Sequence, residues 1–89
     1  MKIRNWDKVK EGTLLVVTWH DIRSDDRWLE DTEAQSFEPA ICKNVGWFVN
    51  DDKLNIRITS SVADDGDKSI VVIPKGCVRD VRKISYTNS

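Results

Sequence analysis

Strand-like sequence runs from Leu14 to Trp19, stops, and resumes from Ala40 to Val49, with the polar stretch from His20 to Glu38 lodged between the two runs. Connections this long inside a small domain are uncommon and tend to be functional. Three of the four tryptophans, Trp19, Trp28 and Trp47, lie in or beside the break. Large rings set among charges are unfavourable unless they pack on one another or bind something. The insertion, residues 20–38, is therefore where function is expected to concentrate.

A chain of 89 residues supports one core, so the sequence predicts a single small β-barrel domain over residues 1–89 with its core at about 12–84. Hydrophobic residues make up 39% and charged residues 33%, with four tryptophans, which is too apolar for intrinsic disorder. No apolar run approaches the ~20 residues needed to cross a bilayer. The opening Met-Lys-Ile-Arg-Asn-Trp-Asp lacks the apolar core of a secretory signal, and a cytoplasmic location is expected. Fourteen basic against fifteen acidic side chains give a net charge of -1, so no global field attracts a polyanion. The charges are uneven, however. Asp21, Asp25, Asp26, Glu30, Asp31 and Glu33 crowd the insertion, while Lys75, Arg79, Arg82 and Lys83 cluster near the C-terminus. Such runs can pair between subunits but are usually solvated faces.

In the first run Leu15, Val17 and Trp19 share one face and Leu14 and Val16 the other, the pattern of a strand covered on both sides along part of its length. Within the insertion, Trp28, Leu29, Thr32, Glu33 and Phe37 suit a short helix capped by Ser24 or Asp25 and ended by Pro39. Ile41, Val45, Trp47 and Val49 then share a face of the second strand, and Gly46 marks a bulge, a bend or a close backbone approach. After a hairpin turn at residues 50–53, Leu54, Ile56, Ile58 and Val62 are expected inward and Asn55, Arg57, Thr59 and Ser61 outward. A loop at residues 63–68 offers Gly66 for a positive backbone angle. A fourth strand over Ser69 to Ile73, a break at Pro74-Lys75-Gly76, and a tight turn leading into a last strand within Cys77 to Ile84 complete the chain. Tyr86 to Ser89 are expected to fray. The fold class is all-β: a small SH3-like five-stranded antiparallel barrel whose long first connection holds a short helix. An OB-type barrel would need a longer helix than residues 63–68 can supply.

Taken together, Val17-x-Trp19-x-Asp21-x-x-Ser24-x-x-x-Trp28, Cys42-x-x-Val45-Gly46-Trp47, Ile56-x-Ile58-x-x-Ser61 and Ile73-Pro74-x-Gly76-x-Val78 resemble a family of small uncharacterised bacteriophage and prophage proteins. The resemblance spans residues 12–84. It implies a single SH3-like barrel and a viral origin, and it supplies no activity. Asp25-Asp26-Arg27 stands where that pattern has a Gly- or Ser-rich stretch, and Asn44 where it has Ser.

Catalytic chemistry is sparse. His20 is the only imidazole, and a thiol enzyme would need it beside Cys42 or Cys77. Without a CxxC spacing, the two cysteines read as reduced packing residues, a disulfide between them remaining open. The acidic insertion lacks the glycine and terminal glutamate of a calcium loop, and no glycine-rich phosphate loop is present. No enzyme activity, no cofactor and no metal are expected. Trp19, Trp28 and Trp47 form either one cluster, with Trp28 as a lid on the core, or the lining of a pocket that stacks a planar ligand. The candidate binding set is Trp19, His20, Asp21, Ser24, Arg27, Trp28, Trp47, Arg57 and Lys75. The expected function is a non-enzymatic phage-type binding protein, a homo-oligomer, that sequesters or blocks a host protein or a nucleotide-like defence signal. A nucleic-acid or transcription accessory factor using Lys75, Arg79, Arg82 and Lys83 is the alternative, and a virion assembly component the third.

Overall fold

A computed structural model describes residues 2–85; the fraying expected of Tyr86 to Ser89 lies outside the described residues. Five antiparallel strands form one sheet: β1 (Leu14–Asp21), β2 (Ala40–Asp51), β3 (Asn55–Thr59), β4 (Val71–Pro74) and β5 (Val78–Lys83), in the spatial order β4-β3-β2-β1-β5. The all-β class and the strand count are those the sequence predicts. No ladder joins β4 to β5 among the described residues, so the sheet is open. It is nevertheless rolled. Only the 3-10 turn Lys75–Cys77 links β4 to β5, which are the two outer strands. A flat five-stranded sheet would hold those edges about 19 Å apart, more than three residues rising ~2 Å each can span. That turn is the tight helical turn expected before the last strand.

Rolling lets one face of a single sheet make a core. Leu15, Val17, Phe48, Ile56, Ile58, Ile73 and Val81, drawn from all five strands, form one buried cluster. The N-terminal segment lids it: Trp6, in a 3-10 turn (Trp6–Lys8), stacks on Phe48 with ring centroids 6.0 Å apart, and Ile3 and Val9 pack on the same cluster. The turns follow from local chemistry. Asp52 Oδ1 accepts from the backbone N–H groups of Leu54 and Asn55 in the β2–β3 turn, and Gly66 takes the expected positive φ of 93°.

Register decides which face of β2 is buried, and two expectations for β3 and β4 are corrected. Because β2 pairs with β1 so that Leu15 faces Gly46 and Trp19 faces Cys42, the core face of β2 carries Cys42, Asn44, Gly46 and Phe48. Ile41 and Val45 therefore lie exposed on the other face, and Phe48 takes the buried position. In β3, Ile56 and Ile58 point inward as expected. Leu54 belongs to the turn and Val62 to the next loop, where both are exposed, while Thr59 is buried and bonds the Ser61 carbonyl at 2.9 Å. The fourth strand is Val71–Pro74 rather than Ser69 to Ile73; Pro74 is tolerated there because β4 is an edge and needs no further donor.

Gly46 marks a close approach. A Cβ at this position would sit 2.8 Å from the Thr59 carbonyl oxygen, and the bulge in β2 falls later, between Phe48 and Asn50. Gly46→Ala should therefore destabilise the fold by about 1–3 kcal/mol through forced backbone displacement. Phe48→Ala should cost about 3–5 kcal/mol, whereas Val45→Ala should stay within about 0.5 kcal/mol. Urea denaturation of the three variants checks the assigned faces.

Candidate functional site

The predicted site residues fall into three separate places. The first is an arm. At the far end of β1 and β2 the hairpin outruns the core, and residues 22–39 extend it. The Cα radius of gyration is 16.4 Å, against about 12 Å for a compact domain of this length, and the long axis is 53 Å. Nothing in the insertion is fully buried. The expected helix shrinks to α1 (Asp31–Gln35), capped at Glu30 with no side-chain bond. Ser24 and Asp25 do not cap it, because the helix starts only at Asp31, several residues further on; Asp25 serves a local turn instead. Its carboxylate accepts from the Arg27 backbone at 3.0 Å and from the guanidinium at 2.6 Å, a pairing that holds the Asp25 carboxyl below its usual range. Arg23 lies over the Phe37 ring at 4.7 Å, and Gln35 donates to Asp31 at 2.8 Å. The insertion is thus shaped by short-range contacts of its own.

Trp28 overturns the lid expectation. Its side chain is fully exposed, and Ile22 nearby is 92% exposed. Neither a Trp19–Trp28–Trp47 cluster nor a shared pocket forms. Trp19 and Trp47 cannot meet either, because the unbroken β1–β2 register sends them to opposite faces of the sheet. Trp19 packs against the edge of the core and donates its indole N–H to Asn44 Oδ1 at 2.7 Å. His20 lies opposite Ile41, so it projects from the face opposite to Cys42, and the strand pairing does not assemble a thiol–imidazole pair. Asp21 Oδ1 accepts from the Ile22 backbone at 2.8 Å, and Ser24 is exposed.

The second place is an open groove of about 700 Å³ walled by Trp47, Phe48, Val49 and Val62, with Thr59, Ser60, Ser61, Glu11 and Lys68 around it. Trp47 is the one predicted residue here. The third is the β2–β3 corner. Arg57 donates to Asn50 at 3.1 Å and to Asp52 at 2.7 Å, and Lys75 pairs with Asp51 at 2.6 Å. Both cations are spent on the fold. The residue that sequence reasoning missed is Trp6; the three-residue spacing of Ile3, Trp6 and Val9 was the signal that the first nine residues pack on the core.

Cys42 and Cys77 are free thiols and partly buried. Among the described residues, no group of three His, Cys, Asp or Glu is arranged to hold a metal ion, and no helix is long and apolar enough to cross a membrane.

Two outcomes follow from these contacts. Asn44→Ala should leave the half-buried indole N–H of Trp19 without its partner and lower stability by about 1 kcal/mol, measured by denaturant titration. The Arg57 guanidinium and two backbone N–H groups hold the Asp52 carboxyl down at about 2, below its ordinary 3.8. Its contribution to stability is therefore complete above the unfolded value and is lost as pH falls toward 2. A pH series of melting temperatures should show Asp52→Asn with a shallower acid limb than the parent. No family model, curated protein or solved structure matches this chain.

Proposed function

We propose that this chain is a non-enzymatic binding protein, of the kind phages encode, that acts by occupying a host protein through its arm. The observation that supports this reading is Trp28, an indole fully in water within the excursion between β1 and β2, with Ile22, Ile41 and Val45 exposed on the same hairpin. Exposed apolar side chains grouped on a projecting element mark interaction surfaces, and tryptophan is the residue most often found to dominate them. The arm offers no second wall against Trp28, which suits insertion into a partner's pocket better than enclosure of a small ligand.

Charge narrows the partner. The insertion carries seven carboxylates, Asp21, Asp25, Asp26, Glu30, Asp31, Glu33 and Glu38, against Arg23 and Arg27. Nucleic acid would be repelled, whereas a basic protein surface with an apolar cleft would be steered in. Self-association, where it occurs, would use the β4 edge, beside which Ile70 and Val72 are exposed.

Affinity capture from bacterial lysate with the parent, Trp28→Ala and Val72→Ser proteins tests the reading. One protein should be retained in stoichiometric amount by the parent and by Val72→Ser. Trp28→Ala should bind it about thirtyfold or more weakly, the loss of a hot-spot side chain, while its melting temperature stays unchanged because the ring touches no core residue. Equal capture by Trp28→Ala would reject the arm as the contact.

A further inference from the structure

The acidity of the arm leaves the rest of the chain with an excess of positive charge, and that excess is not evenly spread. The N-terminal segment runs beside β5: the Ile3 N–H bonds the Val81 carbonyl at 2.7 Å, and the Lys2 backbone forms an isolated antiparallel β-bridge with Arg82. The stacking of Trp6 on Phe48 pins the same segment from its other end. Residues at opposite ends of the sequence are thereby brought around one pocket of about 170 Å³, whose lining holds Lys2, Arg4, Lys75 and Arg79 and a single carboxylate, Asp80.

Two of those cations are already balanced. Lys75 is held by Asp51, and Lys2 approaches Asp80 at 3.6 Å, a carboxylate it shares with Arg82 at 2.9 Å. The other two are not. Arg79 donates only to the backbone carbonyls of Gly76 and Val78, at 3.1 and 3.3 Å, and Arg4 makes no hydrogen bond or ion pair among the described residues. Two arginines lining one recess without a carboxylate partner suit an oxyanion of more than one charge. The planar fork of arginine matches phosphoryl oxygens in pairs.

We propose that this pocket binds the phosphoryl end of a phosphorylated small molecule, with Arg4 and Arg79 as the direct donors and Lys2 and Lys75 supplying the surrounding positive potential. Its volume lies below the ~300 Å³ at which pockets enclose a whole ligand. A terminal phosphoryl or diphosphate group enters, and the remainder of the molecule stays outside. Trp6 is a positioning residue that fixes the N-terminal segment carrying Arg4. The site is separate from the arm and stands whether or not the arm has a protein partner.

Calorimetric titration at low salt with pyrophosphate, adenosine diphosphate, adenosine and a short oligothymidylate decides the matter, using the parent, an Arg4→Ala/Arg79→Ala double variant, and Arg27→Ala on the arm as control. Both pocket arginines are exposed, so the double variant should keep the parent's denaturation midpoint. Saturable binding of pyrophosphate and adenosine diphosphate, weakened on the order of a hundredfold in the double variant and unchanged in Arg27→Ala, is the expected result. Adenosine should be silent. Oligothymidylate binding that depends on the same two arginines and exceeds that of the diphosphates would overturn the small-molecule assignment and place the phosphoryl source in a nucleic-acid backbone. The proposal is overturned by adenosine binding as tightly as its diphosphate, by no saturable heat from any phosphorylated probe, or by equal losses in the double variant and the arm control.

Discussion

The rest of the molecule depends on the continuous antiparallel pairing of β1 with β2, from Leu14 opposite Trp47 to Asp21 opposite Ala40. Side chains alternate between faces along a strand, so a single register decides the destiny of every residue on both strands. It puts Leu15, Val17 and Trp19 with Gly46 and Asn44 on the core side. Trp47, Val45 and Ile41 go with Leu14, Val16 and His20 to the other. A slip by one residue would bury Val45 and expose Phe48, and Trp6 would lose the ring it stacks on. The close approach of Gly46 to the Thr59 carbonyl guards against that slip, because this position admits no side chain and the flanking ones do.

The same pairing explains why the molecule has two ends of different character. Near the core, β2 is flanked by β1 and β3, and its inner face packs on residues from across the rolled sheet. Beyond that, β1 and β2 have fewer neighbours and carry the insertion outward. Among the described residues nothing covers the apolar surface there, and Ile22, Trp28, Ile41 and Val45 are exposed. Carboxylates on the arm and unbalanced guanidiniums beside β5 then separate the charge of a nearly neutral chain into two poles. Such a polarity orients an approaching charged partner even where net charge is close to zero.

Much of the fold was legible because the signals were local. The alternation of Ile56 and Ile58, the Asp52 turn, Gly66 and the turn after Pro74 each depend on a few neighbouring residues, and each stands where the sequence places it. The candidate site was less legible. Both faces of β2 carry apolar residues, so periodicity grouped Ile41, Val45 and Trp47 on one face without saying whether that face or the one carrying Phe48 is buried. A ring such as Trp28 carries no mark in sequence of whether it finds a cavity, and the helix expected around it begins only at Asp31. Lys75 and Arg57, read as ligand cations, proved to be held by Asp51 and Asp52, whose positions across a turn are a tertiary matter.

By itself the sequence determined the class of fold, the number of strands, the turns and the place of the long excursion, because hydrophobic period and turn chemistry act over a few residues. Only the tertiary structure decided which face of β2 is buried, that the three tryptophans go separate ways, and that Lys2 and Arg4 meet Lys75 and Arg79 around one pocket. Those outcomes rest on strand register and on the rolling of the sheet, which join residues far apart in the chain and leave no trace in any short stretch of it.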